Sequence, residues 1–152
     1  MVLADLRYVE RLAEGDHHLA VFAVARPDGS VHASVVSAGV IDDPVDGSPG
    51  VGLVAIGNTV KLRLVRSAGQ ATIVFKDGYQ WAAVWGPTRL VGPEDGVELG
   101  LSVPETIRSV YRAAGGVHED WDEFDRVMAA DRRCAIFVRA ERISTNPAPA
   151  GA

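Results

Sequence analysis

The sequence predicts a mainly β protein, a small antiparallel barrel with peripheral helices. Six apolar segments of strand length occur along the chain, and residues typical of turns separate several of them. The main helical region comes late in the chain, after five of these segments. With 152 residues and a hydrophobic share of 47%, the chain can form one globular core. We expect a single domain over residues 1–143 and a flexible tail over residues 144–152.

The first element is an amphipathic helix. Leu3, Leu6, Val9 and Leu12 recur at helical spacing, and the helix is expected to end at Gly15. The polar residues between these leucines and valine are left for solvent. The N-terminal segment is charged from its fifth residue, so it lacks the apolar core of a signal peptide.

Three strands are expected after this helix. His18 to Ala25 is an apolar run, Pro27 to Ser30 has the composition of a turn, and Val31 to Ile41 is a second apolar run. Residues 42–50 show no apolar period and predict a loop. Val51 to Ile56 is the third strand, and a short helix is expected beyond it.

The second half of the chain contains another hairpin and then helices. Gln70 to Lys76 and Tyr79 to Val91 are predicted strands joined by Asp77-Gly78, a strong two-residue hairpin signal. Residues 94–130 are helical and acidic in pattern. Cys134 to Ala140 is expected to be the last strand.

Composition excludes several classes of function. A formal net charge of −5 disfavours binding along a nucleic-acid backbone. The single cysteine, Cys134, cannot form an internal disulfide, and no run of about 18 apolar residues predicts a membrane span. His17, His18 and His32 lack partners at ligand spacing, so no metal site is predicted. We therefore expect a cytoplasmic protein that binds neither nucleic acid nor membrane.

A basic cluster stands out against this acidic background. Lys61, Arg63 and Arg66 lie in a window, residues 47–76, that contains no Asp or Glu. Such a cluster is either the solvated face of a short helix or a site for an anion. Residues 57–59 lie between the third strand and the expected helix, where free backbone N–H groups can bind phosphate. The residues alone leave both alternatives open.

An aromatic row is predicted in the fifth strand. Tyr79, Trp81 and Trp85 are separated by even numbers and would share one face. They either pack in a core or a dimer interface, or form the apolar wall of a pocket for a flat ligand. The packing role and the pocket role are compatible if the aromatic row lies at a subunit interface that also borders a pocket.

No catalytic motif is visible. The carboxylates around Glu119 to Asp125 are typical of a solvated helix face, and Ser34 and Ser37 lack the frame and the histidine of a nucleophilic hydrolase. The catalytic residues therefore remain unassigned.

Nearly the whole chain resembles one family, the split β-barrel flavin and deazaflavin oxidoreductases related to pyridoxamine 5'-phosphate oxidase. The resemblance is carried by HLAVFAVARPDGSVHASVV, GNTVKLRLVRSAGQATIVF, DGYQWAAVWGPTRLVG and SVYRAAGGVHEDWDEFDRVMAADRRCAIFVRAERI. In the last block, the combination of YR, GxHxDWDxF and DRR is similar to the actinobacterial branch that uses the deazaflavin coenzyme F420.

The resemblance implies a split β-barrel of the FMN-binding type and a homodimer with two cofactor sites at the subunit interface. It implies hydride transfer between reduced F420 and a small unsaturated or carbonyl-conjugated organic substrate. The alternatives are an oxidoreductase of the same barrel that binds FMN, and a binding protein that holds a cofactor or ligand without turnover.

The resemblance also implies particular cofactor contacts. The phosphate and ribityl chain are expected along the strand-to-helix segment, which comprises Ile56, Gly57, Asn58, Thr59, Val60 and Lys61. Lys61 occupies the basic position of the family, and Arg63 is a second candidate for the anionic end. Thr59 stands where relatives often have another basic residue. The phosphate contact of that residue would then have to come from Arg66 or a backbone amide.

The remaining implied contacts concern the ring system. The strand that contains Ser34 and Val36 is expected to run beneath the ring. Tyr79 and Trp81 correspond to aromatic positions contributed by the neighbouring subunit, and Arg132 is a further candidate for an anion contact from that subunit.

Overall fold

The computed structural model describes residues 5–146, which form seven strands and five helices. The strands are β1 Leu19–Ala25, β2 Val31–Val40, β3 Gly50–Ala55, β4 Gln70–Asp77, β5 Gln80–Val91, β6 Cys134–Arg139 and β7 Arg142–Thr145. The helices are α1 Leu6–Gly15, α2 Val60–Ala68, α3 Gly96–Leu99, α4 Val103–Ala113 and α5 Trp121–Ala130. Leu3, which belongs to the predicted pattern of the first helix, lies outside the described residues.

Six of the strands close into a barrel. The strand order is β4-β1-β2-β3-β6-β5-β7, and an additional pairing of β4 with β5 closes the ring. All of these pairings are antiparallel. The predicted class, an antiparallel barrel with peripheral helices, is therefore confirmed.

Alternating side chains fill the barrel. In β1, Ala20, Phe22 and Val24 are buried, and the residues between them are more exposed. The same alternation places Ile73 and Phe75 of β4 inside the barrel. A second apolar cluster lies beneath α4 and α5 and comprises Val91, Ile107, Val110, Phe124, Ala135 and Phe137.

The helices are capped by the residues that precede them. Asp5 accepts the backbone N–H groups of Arg7 and Tyr8 at the start of α1. Ser102 and Asp120 cap α4 and α5 in the same way. None of the helices in the described part of the chain is long and apolar enough to cross a membrane.

The hairpin between β4 and β5 differs from the prediction by one residue. Asp77 pairs with Gln80, so the loop is Gly78-Tyr79 and not Asp77-Gly78. Gly78 has a φ of 63°, whereas Tyr79 does not have a positive φ. A two-residue turn that begins with glycine needs a positive φ only at that residue, which allows Tyr79 to occupy the second position.

The seventh strand was not predicted. We expected Cys134 to Ala140 to be the last strand and the tail to begin at residue 144, and both expectations are wrong. Residues 142–145 pair with Ala82 to Trp85 of β5, because β5 extends past the end of β6 and offers an edge there. The rest of the predicted tail, residues 147–152, lies outside the described residues.

Candidate functional site

The junction between β3 and α2 is a tight turn followed by a capped helix. Asn58 has a φ of 58°, a left-handed conformation that asparagine tolerates better than most residues. The Thr59 hydroxyl accepts the backbone N–H of Leu62 at 3.4 Å and donates to the carbonyl of Ile56 at 3.1 Å. This cap places Lys61 in the first turn of α2.

Gly57 packs this turn against a second turn, the one between α5 and β6. The N–H of Gly57 donates to the carbonyl of Asp131 at 3.1 Å. A methyl group on Gly57 would overlap the backbone of Arg132, which itself has a φ of 51°. Only glycine permits the backbones of these two turns to approach so closely.

A groove opens beside this junction, and we call it the Lys61 groove. It has a volume of about 360 Å³. The floor consists of strand residues and the following turn residue, namely Val35, Val36, Ser37, Val54, Ala55 and Ile56. Lys61 lies at one side, and the remaining wall comes from helix and turn residues Tyr111, Ala114, Met128 and Arg133.

Lys61 is a partly buried cation in this groove. Its ammonium nitrogen lies 5.6 Å from the centroid of the buried Phe22 ring. Burial lowers the pKa of Lys61 from its usual value. Within residues 5–146 no carboxylate lies at salt-bridge distance from it, whereas Arg133 in the same groove is paired with Asp131 at 3.2 Å. Lys61 therefore lacks an anionic partner among the described residues.

A buried hydroxyl lies next to this position. Ser34 is the cross-strand partner of Phe22, the residue whose ring lies beneath Lys61. The Ser34 Oγ atom is inaccessible to solvent and makes no hydrogen bond to any described residue. Unsatisfied buried polar atoms are uncommon in proteins, so this atom is suited to a ligand or water.

A second cavity lies on the other side of the junction, and we call it the arginine cleft. It has a volume of about 200 Å³, and its lining includes Gly57, Asn58, Thr59, Arg63, Arg66, Glu94, Arg132 and Cys134. Burial raises the pKa of the Cys134 thiol to about 12, so this thiol is unreactive at neutral pH.

Two arginines of the cleft are already paired. Arg66 donates two hydrogen bonds to Asp95, each 2.9 Å long, and Arg132 pairs with Glu94 at 3.2 Å. The hydrogen bonds from Arg66 hold the pKa of Asp95 below its usual value. Our expectation that Arg66 compensates for Thr59 is therefore not supported, because a carboxylate occupies its guanidinium.

The predicted site residues fall into three groups. Val36, Ile56 and Lys61 line the Lys61 groove, and Ser34 lies beside it in β2. The arginine cleft contains five others, namely Gly57, Asn58, Thr59, Arg63 and Arg132. The third group lines neither cavity and begins with Val60, which is 47% exposed at the start of α2.

Tyr79 and Trp81 line neither cavity. Tyr79 is 95% exposed in the hairpin turn and so is not part of the aromatic face, whereas Trp81 and Trp85 share the outer face of β5 as predicted. Arg142 stacks on Trp85 at 5.1 Å, and Trp81 remains 37% exposed. Their assignment to a site on a neighbouring subunit stays a prediction.

Several residues of the Lys61 groove were missed as site residues, three of them with large side chains. Tyr111, Met128 and Arg133 approach it from α4, α5 and the turn before β6. Tyr111 is held by an edge-on contact with the Trp121 ring, a tilted contact with the Phe124 ring and a hydrogen bond from its hydroxyl to the carbonyl of Val117. The only signal was their place in the late sequence block that carries the family resemblance.

The arrangement suits a flat ligand with an anionic arm. The floor of the Lys61 groove is mostly apolar, and its volume lies within the range of small-molecule sites. Lys61 supplies a positive charge at one side, and Ser34 supplies a buried hydroxyl nearby. A planar ring system that carries a phosphate matches both properties.

Comparison of the sequence with family models finds no match, and comparison with curated proteins finds none either. Solved structures, in contrast, share the fold. A pyridoxamine 5'-phosphate oxidase-related, FMN-binding protein from Nostoc punctiforme is 11% identical, with a TM-score of 0.61 over 95% of this chain and 86% of the other. A conserved hypothetical protein from Mycobacterium tuberculosis is 18% identical, with a TM-score of 0.62 over 100% and 94% of the two chains.

A third similar structure is an F420 reductase. It is 16% identical to this chain, with a TM-score of 0.57 over 89% of this chain and 94% of the other. Identities this low establish the fold alone. The predicted split β-barrel of the pyridoxamine 5'-phosphate oxidase type is thereby confirmed.

Proposed function

We propose that the protein is an oxidoreductase that binds F420 in the Lys61 groove and acts on a small unsaturated or carbonyl-conjugated organic substrate. The observation that carries the proposal is Lys61 itself, a partly buried cation beside an apolar floor, with no carboxylate at salt-bridge distance within residues 5–146. When bound in its reduced form, the coenzyme would supply a hydride.

The residues of the groove would bind and orient such a cofactor. Lys61 would neutralise a phosphate, since a lysine ammonium is a compact charge that binds phosphate well. Val36, Ile56 and Met128 would contact the ring system and exclude water from it. The Ser34 hydroxyl would hydrogen-bond a polar edge of the ligand or a bridging water. No residue of this chain is assigned as a proton donor.

The proposal includes a homodimer. The open side of the Lys61 groove borders exposed apolar side chains, since Val35 is 69% and Ile56 50% exposed. Exposed apolar surface of this kind is typical of an interface. A second copy of the chain would cover it and contribute Tyr79 and Trp81 to the wall, as the family resemblance implies.

F420 is favoured over FMN by the sequence block GVHEDWDEFDRVMAADRR, which resembles the deazaflavin branch. FMN is the second candidate, because a similar fold occurs in the FMN-binding protein from Nostoc punctiforme. Both cofactors offer a tricyclic ring, a ribityl chain and a phosphate, so the groove accommodates the chemistry of either.

A parallel titration tests the proposal. Purified protein is titrated with F420 and, separately, with FMN, and binding is followed by quenching of its three tryptophans. Tight F420 binding and weak FMN binding would support the deazaflavin assignment, and the reverse would assign the protein to FMN. Binding of neither would refute the proposal.

Turnover separates an enzyme from a binding protein. Loaded with reduced F420, the protein is mixed with conjugated enones and quinones, and the return of oxidised cofactor is followed by absorbance. Oxidation that depends on the acceptor supports an oxidoreductase. Tight binding without such oxidation across acceptors would favour a protein that only holds the cofactor.

A further inference from the structure

A third cavity shares part of its wall with the Lys61 groove. It lies between the N-terminal half of α4 and the C-terminal half of α5, has a volume of about 220 Å³, and we call it the Pro104 groove. Met128 and Arg133 line both grooves. The two spaces therefore meet at these two side chains.

The Pro104 groove is mostly apolar. Val103, Pro104 and Ile107 of α4 face Met128 and Ala129 of α5 across it.

The charged groups at its rim are already paired. Arg108 forms a two-point ion pair with Asp125, Arg132 pairs with Glu94, and Arg133 pairs with Asp131. Among the described residues that line it, the cavity thus offers contact to a neutral apolar group and no uncommitted carboxylate to a cation.

We propose that the Pro104 groove binds a neutral, planar apolar group of the substrate, the size of a six-membered ring with at most one small ring fused to it. The inference rests on the proposed function, since it places this group beside a cofactor in the Lys61 groove. An apolar cavity of about 150 Å³ suffices for benzene, so 220 Å³ accommodates a six-membered ring together with a fused five-membered ring. An amphipathic helix or a peptide strand needs a longer groove than this.

Met128 would set the specificity of this site. An unbranched thioether side chain adapts to neighbouring shapes, and sulfur makes favourable contacts with aromatic rings. Because Met128 is part of both walls, it would touch the ring of the substrate on one side and the cofactor site on the other.

The experiment uses the full chain labelled with 13C in the methionine methyl groups. The chain has only two methionines, and the variant Met128→Leu identifies the Met128 signal. Indole is the probe, because it is neutral, planar and soluble. Titration with indole should move the Met128 signal in a saturable way.

Two phenylalanine variants distinguish indole binding in the Pro104 groove from indole binding elsewhere on the surface of α5. Ala129→Phe would fill the Pro104 groove, whereas Ala130→Phe puts the same side chain one residue further along α5, outside the groove lining. Both alanines are exposed, so both variants should fold. Indole should bind at least tenfold more weakly to Ala129→Phe and unchanged to Ala130→Phe.

Three results would overturn the inference. These are no saturable shift of Met128, equal indole binding in Ala129→Phe and the parent protein, or displacement of indole by bound F420 or FMN. If neither cofactor binds while the Met128 shift behaves as expected, the proposed function fails and the ring site stands.

Discussion

Gly57 and Arg132 bring two distant turns of the chain into backbone contact. Gly57 lies in the turn between β3 and α2, and Lys61 follows it by a few residues in α2. Arg132 lies in the turn between α5 and β6, and Arg133 is the residue after it. The cation that lines one side of the Lys61 groove is thus positioned relative to the opposite wall by a contact between main chains.

Replacing Gly57 by alanine should destabilise the protein. The added methyl group would overlap the Arg132 carbonyl, and relief of such overpacking costs about 1–3 kcal/mol. Urea unfolding would measure the change. Asn58→Gly, one residue along, relaxes a left-handed residue and should alter stability by less than about 0.5 kcal/mol. Equal stabilities of Gly57→Ala and the parent would contradict the contact.

Replacing Lys61 by alanine should weaken cofactor binding by roughly 1.5–3 kcal/mol, the scale of a hydrogen bond to a charged group. The matched control is Lys76→Ala, which removes the only other lysine of the chain. Lys76 is exposed and pairs with Asp16 at 3.6 Å, and it lines neither the Lys61 groove nor the arginine cleft. Fluorescence titration gives the dissociation constants, and an unchanged value for Lys61→Ala would disprove the phosphate assignment.

Replacing Val35 by aspartate should convert a dimer into monomers. Val35 is 69% exposed at the edge of the Lys61 groove, and a charge buried without a partner in an interface is costly. Analytical ultracentrifugation measures the mass. Val97→Asp, at a valine that is 95% exposed in α3, is the control and should leave the mass unchanged. A parent protein that sediments as a monomer would refute the dimer.

Replacing Asp95 by asparagine should lower stability at neutral pH by about 1 kcal/mol, the upper range for a well-oriented surface ion pair. Because Arg66 lowers the pKa of folded Asp95, the stabilisation is present above the unfolded value, near 4, and is lost as the pH falls through the folded value. Thermal unfolding at pH 7 and pH 3 should show the difference between parent and variant shrinking in acid. A difference that does not shrink as the pH is lowered would contradict the ion pair as its cause.

Replacing Ser34 by alanine should leave the stability of the cofactor-free protein unchanged or raise it by up to about 1 kcal/mol, because a buried unsatisfied hydroxyl is removed. The same change should weaken cofactor binding. Ser37→Ala, on the exposed face of the same strand, controls for the effect on strand stability. A clear loss of stability in Ser34→Ala would show that the hydroxyl already has a partner.

The barrel could be predicted because its strands follow local rules. Phe22 and Phe75 alternate with more exposed neighbours, and turn residues separate the first two strands. The seventh strand could not be predicted in this way, since Arg142 to Thr145 is short and polar and pairs only because β5 offers an edge. The hairpin loop was misplaced by one residue because Asp77-Gly78 and Gly78-Tyr79 both satisfy the rules for a two-residue turn.

The site was only partly predictable for a different reason. Lys61 lies next to a strand and a cap that the sequence reveals. Met128 and Arg133 enter the groove from more than 60 residues further along the chain, and no local pattern encodes that approach. The pairing of Arg66 with Asp95 is likewise a long-range contact, so the basic cluster looked less neutralised in the sequence than it is in the fold.

The insertion of β6 between β3 and β5 has a consequence for synthesis of the chain. Both partners of β6 are complete by Val91, yet Arg139 follows roughly 50 residues later. At about 5–20 residues per second, a ribosome needs about 2 to 10 seconds to add that stretch. During this interval the nascent chain exposes two unpaired strand edges, β3 and β5. Chaperone contact and premature aggregation should therefore concentrate in this window of translation.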